Sequence, residues 1–463
     1  MPMLFLALLS LAQADPTSLR GEASFQLFRR PLDLVVQPAR LAGTEETAVY
    51  TFLALRAPET VLSAGATVTW GPGALGVHGG WHRSGAGTRS GSVSGPTSTL
   101  TRDDADRAVL HVAYGAPVTG TVDVGGGVWF DGAFASSPRG WEAGALTTQA
   151  ELGPDEEPAL WSRRRTWSLG ARLGTTLHDP RGGHTDLHVE LAGEEDLAVT
   201  EGELPGVVVL EGFTPDGAGG PQANRLRWQP AVVVDGLRPT GPRSAFRAWA
   251  RVGLAAGGPS VLARREAPVG AAERRTELLD PGGVDLAVDG TLLLLGHVTA
   301  GPVEIRVGGR VRADVHHRVV LWLVDPDAPG TVAQGRAQRG VGIDLALPLA
   351  LEVAVHRRVV LRAAALGGWQ WTDTTSLVGT ADLLDPAGTL DGTVTGFPRD
   401  GTYVRGGLGV AWRAADLVSL EAALDTAYRS ANVQVAAPSG VVTGGLSTPL
   451  GDLGLAVSLV FHP

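Results

Sequence analysis

Charged side chains recur at every second residue in several segments of this chain, and they are the groups best placed to do chemistry. Between positions 303 and 315 these residues are Glu304, Arg306, Arg310, Arg312 and Asp314. Successive side chains of an extended strand point to opposite faces, so these charges would share one face. A charged face of this kind can line a water-filled passage, where it biases which ions enter.

The same pattern gives fourteen candidate lumen-lining residues, each alternating with apolar neighbours. They are Arg172, Arg247, Arg251, Glu304, Arg306, Arg310, Arg312, Asp314, Asp344, Glu352, Arg362, Arg405, Glu421 and Asp425. Two interpretations remain open at this level. The charges either face water in a pore, or they pair across strands and fill a closed interior.

Motifs typical of enzymes are missing from the sequence. It contains no Gly-x-Ser-x-Gly elbow, phosphate-cradling loop or dinucleotide fingerprint, so we expect neither catalysis nor a cofactor. His178, His184 and His188 lie near Asp179 and Asp186, a composition that could suggest a metal site. Their spacing matches no strong metal signature. We therefore interpret them as a solvated turn and predict no metal.

Composition narrows the function classes further. The 463 residues include no cysteine, which excludes disulfides, thiolate catalysis and Cys-based zinc sites. They also include no lysine, so all positive charge is carried by arginine or histidine. The formal net charge is −10, with scattered acidic residues and no basic stripe of the kind that nucleic-acid binding requires.

Alternation with period 2 dominates the chain and predicts strands that could position these charges. In 341–355 every second residue is apolar, from Val341 to Val355. That stretch is long enough to cross a bilayer as a tilted strand, which takes about 9–11 residues. No segment has the roughly 20 apolar residues of a membrane helix. An antiparallel up-and-down transmembrane β-barrel is the all-β fold that fits.

The connections between the predicted strands alternate between short and long. Short turns are predicted at 179–183, 316–318 and 356–358, with longer Gly-, Pro- and Asp-rich loops between them. Short periplasmic turns and long external loops are typical of outer-membrane barrels. Counting strands from both ends gives about 16, within a range of 14 to 18. The two counts agree only if 284–298 forms a hairpin or excursion within an external loop.

Aromatic residues are predicted to form two girdles, because Trp and Tyr favour membrane interfaces. The periplasmic group would comprise Trp412 and Phe461. The outer group would comprise Trp369, Trp371, Tyr403 and Tyr428.

The N-terminus predicts export. An apolar run at 4–11 precedes Ala12-Gln13-Ala14, which has the small-x-small form of a signal-peptidase site. Residues 1–14 are therefore expected to be a cleaved signal peptide. Residues 15–463 would then form a single barrel domain, in which 15–45 is either an inward hatch or the first strand.

The C-terminus carries a second targeting pattern: a polar residue, a glycine two positions later, and alternating hydrophobics that end in an aromatic. The matching residues are Asp452, Gly454, Val457, Leu459 and Phe461. This segment resembles the C-terminal signal of Gram-negative outer-membrane β-barrel proteins. His462 and Pro463 follow the aromatic, whereas the family usually stops there. The resemblance implies location in the outer membrane and insertion by the barrel-assembly machinery.

These patterns together predict a porin-like channel for passive diffusion of small solutes through a charged lumen. One alternative resembles the long-chain fatty-acid transporter family, which moves hydrophobic compounds; an apolar pocket in the lumen would favour it. Another is a structural or adhesive barrel, which a lumen sealed by salt bridges would favour. A barrel enzyme would need Ser or Asp beside His at the rim.

Overall fold

The computed structural model describes most of the chain. The described residues are 37–44, 47–56, 59–84, 87–91, 98–102, 104–139, 141–142, 145–146, 160–204, 207–213, 225–257, 262–268, 274–278, 285–323, 332–382, 391–415, 418–437, 440–448 and 454–461. The predicted signal peptide and residues 15–36 lie outside these ranges. Within them, no helix is long and apolar enough to cross a membrane.

Sixteen antiparallel strands form one closed barrel, which confirms the predicted fold class and strand number. In chain order they are β1 Ala48–Arg56, β2 Glu59–Trp70, β3 Gly73–Ser84, β4 Asp104–Thr119, β5 Val122–Arg139, β6 Leu160–His178, β7 His184–Leu204, β8 Arg225–Gly241, β9 Ser244–Gly257, β10 Asp285–Ala300, β11 Val303–Leu323, β12 Val332–His356, β13 Val359–Asp382, β14 Asp391–Ala415, β15 Val418–Ala437 and β16 Gly454–Phe461. The barrel closes where β1 pairs with β16, from Val49 opposite Phe461 to Leu55 opposite Leu455.

The alternating sequence pattern explains why these strands close into a barrel rather than stack as a sandwich. Large apolar side chains cover the outer surface, and Leu173, Leu347 and Leu408 are 73%, 72% and 67% exposed. Most of the intervening residues are charged, polar or small, and they point inward, where burial is higher. Among the described strands, closure gives each one a neighbour on both sides, so a membrane can surround the wall.

The connections at the two ends of the barrel differ in length. At one end, here called the short-turn end, neighbouring strands are joined through 71–72, 120–121, 179–183, 242–243, 301–302 and 357–358. Gly71, Gly182 and Gly301 have positive φ in these turns, a backbone conformation that glycine adopts without strain. The predicted turns at 179–183 and 356–358 are confirmed. The connections at the opposite end are mostly longer.

Two sequence predictions about the barrel wall are wrong. Residues 316–318 lie inside β11, and the turn before that strand is at 301–302. Residues 284–298 do not form an external excursion, because β10 is a full wall strand between β9 and β11. The four leucines at 292–295 hide the alternation of β10, since both of its faces are apolar there.

The wall is uneven in height. β1 and β16 have 9 and 8 residues, whereas β12 and β14 have 25 each. Additional strands at Val207–Phe213, Leu262–Pro268 and Gly440–Thr448 extend the sheet away from the short-turn end. The low part of the wall is therefore the part that contains the closing seam.

A short 3-10 helix lies inside the barrel, ahead of the first strand. It spans Pro38–Gly43, and it packs against β3, β4, β5 and β6. Leu41 at its centre is completely buried. We call residues 37–44 the inner segment.

Candidate functional site

The inner face of the barrel is the candidate site. Twelve of the fourteen candidate residues lie on this face, where they are less exposed than their outward neighbours. They are Arg172, Arg247, Arg251, Glu304, Arg306, Arg310, Arg312, Asp314, Asp344, Glu352, Arg362 and Arg405. Glu421 and Asp425 belong to β15, and the structure does not describe their side chains.

Charged side chains on the inner face form ion pairs with side chains of the adjacent strand. The Arg310 guanidinium donates to an Asp344 carboxylate oxygen at 2.8 Å, and Arg362 donates to Glu352 at 3.1 Å. Further pairs join Arg107 with Asp131, Arg172 with Glu190, Arg227 with Glu194, Arg247 with Asp235 and Arg251 with Asp289. Each of these pairs runs along the wall between adjacent strands. Glu304 instead contacts Arg306 on its own strand and His297 of β10.

Several of these pairs are diagonal in the strand register. Arg310 is directly opposite Ala346, and its partner Asp344 is two residues away on the same face. Arg251 is opposite Thr291, and its partner Asp289 is again two residues away. Diagonal neighbours lie about 7–8 Å apart at the backbone, a gap that the long arginine side chain spans.

Tyr403 joins one of these pairs and corrects a prediction. It does not belong to an outer aromatic girdle, because it points inward and is 8% exposed. Its hydroxyl lies 2.9 Å from both carboxylate oxygens of Asp344 and accepts from Arg310 at 2.9 Å. Arg405 lies over the face of the same ring, 5.6 Å from its centroid. Trp412 and Phe461 do face outward, at the short-turn end of their strands.

The inner segment is tied to the wall by charge. Arg40 forms ion pairs with Asp186 of β7 and Asp235 of β8, the latter at 3.0 Å. Asp235 is fully buried and also accepts from Arg247 at 2.6 Å. Gln37 donates to the same carboxylate at 3.3 Å. Two arginines and an amide therefore converge on one buried carboxylate.

Glycines on the wall make room for the inner segment. Gly115 of β4 and Gly125 of β5 are directly opposite each other in the register. A Cβ atom at Gly115 would lie 2.0 Å from the Pro38 carbonyl oxygen, and one at Gly125 would lie 2.3 Å from the Pro38 carbonyl carbon. Any larger residue at either position would push the inner segment off the wall.

Part of the inner face is apolar. Leu293 and Leu295 of β10 point inward with 4% and 2% exposure, beside Ala350 and the half-buried Trp249. Leu366 of β13 forms a second cluster with Ala346 and Tyr403. Arg310 lies between the two clusters in the strand register, opposite Leu293 on one side and Ala346 on the other.

Sequence reasoning missed Arg40 and four acidic partners, which are Asp131, Glu194, Asp235 and Asp289. Asp235 and Asp289 share the inward parity of their strands, so alternation could have placed them on the inner face once these strands were recognised. Only their partners depend on the register. Arg40 carries no periodic signal, because it lies outside the strands. The described part of the chain holds no group of three or more His, Asp or Glu residues suited to a metal ion.

The geometry defines the class of protein. A closed antiparallel barrel with an apolar outer belt, a polar inner wall and short turns at one end is the β-architecture that spans lipid. The chain is a β-barrel protein of this membrane-spanning class.

Comparison with known proteins adds only distant likenesses. No family model and no curated protein sequence matches the chain. A deletion mutant of the TodX monoaromatic hydrocarbon channel is 10% identical, with a TM-score of 0.45 over 93% of this chain and 94% of that chain. The Pseudomonas putida toluene transporter TodX is 8% identical, with a TM-score of 0.43 over 94% of this chain and 95% of that chain. The ferric yersiniabactin uptake receptor FyuA of Yersinia pestis is 8% identical, with a TM-score of 0.38 over 90% of this chain and 80% of that chain. None of these values carries an argument about the function of this chain.

Proposed function

We propose that the protein is an outer-membrane channel through which small hydrophilic solutes diffuse passively along a charged inner wall. The observation that carries the proposal is the strand number. About eight strands enclose an interior that side chains can fill, whereas porins of about 16–18 strands leave an aqueous channel. A 16-stranded barrel is therefore too wide for its wall side chains alone to fill.

The direction of the ion pairs supports the same function. Pairs such as Arg310 with Asp344 and Arg362 with Glu352 join adjacent strands and so follow the wall. Pairs that seal a lumen would have to cross it. This arrangement favours a charged passage over a closed structural or adhesive barrel. Because each of these arginines is neutralised by a carboxylate, the wall also suits solutes of either charge.

We assign the inner segment the role of a hatch that narrows the passage. Short turns face the periplasm in barrels of this class, so the segment would lie near the periplasmic end. Arg40 is its anchor, because its guanidinium bridges Asp186 and Asp235. The deep burial of Leu41 adds a hydrophobic contribution to the same anchor.

Conductance of the purified protein in planar lipid bilayers tests the proposal. Wild-type protein should give discrete ion-conducting steps. Arg40→Gln should give larger or more frequent steps, because it removes the cation that two buried carboxylates share. The matched control is Arg238→Gln, which makes the same change on the outward face near the same end. A wild-type protein that inserts but never conducts would exclude the channel function.

The apolar inner clusters favour a second candidate, the transport of hydrophobic compounds. Leu293 and Leu295 are inward-facing leucines that a purely hydrophilic passage does not require. Uptake of a hydrophobic dye into vesicles separates the two functions. Dye uptake that falls in Leu293→Ser, and is unchanged in Leu294→Ser on the outward face, would support this candidate over the first.

We also propose that the C-terminal segment is the signal read by the barrel-assembly machinery. Leu459 and Phe461 face outward on the last strand, where a receptor could bind them before the barrel closes. Phe461→Ala should lower the amount of protein that reaches the outer membrane. Normal amounts would contradict this role.

A further inference from the structure

Three arginines lie close together at the short-turn end, where β12, β13 and β14 meet. Arg357 and Arg358 form the turn between β12 and β13, and Arg413 lies near the end of β14. The Arg413 backbone N–H donates to the Arg358 carbonyl oxygen at 2.8 Å, which places these two residues side by side. All three arginines are exposed. We call them the rim arginines.

The rim arginines differ from the arginines of the inner wall in their charge surroundings. On the inner wall a carboxylate lies close to each paired arginine, as Asp344 does to Arg310. On the described parts of β12, β13 and β14, the carboxylate nearest to the rim in sequence is Glu352, which points inward and accepts from Arg362. Asp416 lies outside the described residues. Positive charge is therefore concentrated at an exposed edge of a chain whose formal net charge is −10.

The other short turns have the same charge bias. Arg181 and Arg243 are exposed in the turns that follow β6 and β8. Together the six described short turns contain four arginines and one acidic residue, Asp179. The excess of positive charge therefore belongs to this end of the barrel as a whole, and it is densest at the rim arginines, where two adjacent strand connections meet.

The rim arginines lie directly beyond the apolar belt. Val355 faces outward two residues before the turn, and Trp412 faces outward next to Arg413. Trp412 is also directly opposite Val359, the residue that follows Arg358. Tryptophan favours the headgroup level of a membrane. The rim arginines, one residue further toward the short-turn end, therefore lie at the level of the lipid phosphates.

Arginine suits phosphate for a geometric reason. The planar guanidinium is always charged, and its N–H groups form a fork that matches two oxygens of one phosphate. A zwitterionic headgroup brings its own cation close to the phosphate, and that cation is repelled by neighbouring arginines. A headgroup with a net negative charge brings none, and basic clusters next to a membrane attract lipids of this kind. An anionic headgroup is therefore the lipid partner that the charge of the rim fits.

We propose that the rim arginines and Trp412 form a docking surface for anionic phospholipid headgroups. Short turns face the periplasm in barrels of this class, so the lipids would belong to the periplasmic leaflet. The same positive charge could attract an acidic cell-wall polymer, but the rim arginines border the outward apolar belt, where lipid is the neighbour. This proposal depends on the membrane-spanning class of the protein and not on whether its lumen conducts.

Native mass spectrometry of the purified protein in detergent tests the docking surface, because it counts bound lipid molecules. Wild-type protein should bind phosphatidylglycerol at lower concentration than phosphatidylcholine. Arg357→Gln combined with Arg358→Gln should raise the half-saturating concentration of phosphatidylglycerol about tenfold, and both changes lie in an exposed turn. The matched control combines Arg165→Gln with Arg339→Gln, which removes two exposed arginines of the outward face far from the short-turn end. It should bind phosphatidylglycerol as wild type does.

Inorganic phosphate and purified peptidoglycan separate lipid docking from other uses of the same charge. Excess phosphate should displace little phosphatidylglycerol, because it has no acyl chains; complete displacement would indicate a general anion site and overturn the proposal. Equal affinity of wild type for the two lipids, or equal losses in the test variant and its control, would also overturn it. Sedimentation of wild type with peptidoglycan that the test variant loses, together with equal binding of the two lipids, would assign the rim arginines to the cell wall instead.

Discussion

At the scale of single residues, register decides which inner-wall charges meet. Arg310, Asp344 and Tyr403 come from three strands, and only the pairing of β11, β12, β13 and β14 brings them within 3 Å. Alternation predicts that Arg310 and Asp344 point inward, since it depends on parity alone. It does not predict the contact, because a shift of two residues keeps the parity and changes the partner.

The Tyr403 hydroxyl should stabilise the barrel through this contact. Tyr403→Phe removes a hydroxyl that bonds to Asp344 and Arg310 with little effect on packing. Hydrogen bonds to charged groups contribute about 1.5–3 kcal/mol, so the free energy of unfolding should fall by about that amount. Equilibrium unfolding in urea from lipid vesicles measures the change.

Tyr114→Phe is the control for this prediction. The Tyr114 hydroxyl makes an exposed contact with the Trp70 carbonyl oxygen at 3.4 Å. Its removal should change the free energy of unfolding by less than about 0.5 kcal/mol. Equal losses in the two variants would show that the inner-wall contact of Tyr403 contributes nothing specific.

At the scale of elements, alternation predicts strands well only where their two faces differ. β12 alternates strongly over 341–355 and was predicted, whereas the leucines at 292–295 make both faces of β10 apolar and hide that strand. His316, His317 and Arg318 suggested a turn because they are polar. They lie within β11, and His316 shares its inward-facing parity. The inner segment has no periodic pattern that could reveal it.

The position of the inner segment against the wall should depend on the absence of a side chain at Gly125. Gly125→Ala would place a methyl group 2.3 Å from the Pro38 carbonyl carbon, so the inner segment should leave the wall. Because the chain has no cysteine, Leu41→Cys provides a unique thiol at a fully buried position. Its labelling by a water-soluble maleimide should be about tenfold faster when Gly125→Ala is also present, which corresponds to about 1.4 kcal/mol.

Gly309→Ala in the same Leu41→Cys background is the control, because a Cβ atom there would meet nothing within 4 Å. Its labelling rate should equal that of Leu41→Cys alone. Slow labelling in Leu41→Cys alone and in both double variants would mean that the position of the inner segment does not depend on Gly125.

At the scale of the whole molecule, the exposed apolar belt decides where the protein resides. The same alternation that points charges inward points leucine, valine and aromatic residues outward around the closed wall. In water this surface would cost free energy over its whole area, whereas in lipid it costs none. The class of protein is therefore predictable from sequence, since it depends on the sum of many strands. The solute of the proposed channel is not predictable, since it depends on a few contacts that register creates.

The belt should tolerate charge at its rim but not at its middle. Leu173 faces outward, five residues from the short-turn end of β6. Val118 also faces outward, but it is only one residue from the short-turn end of β4. Leu173→Arg should lower the free energy of unfolding from lipid vesicles by about 2–4 kcal/mol, because an arginine near the bilayer midplane loses its hydration. Val118→Arg, close to the interface, should cost about 0–1 kcal/mol. Equal costs at the two depths would contradict a lipid environment for this belt, and the channel proposal depends on that environment.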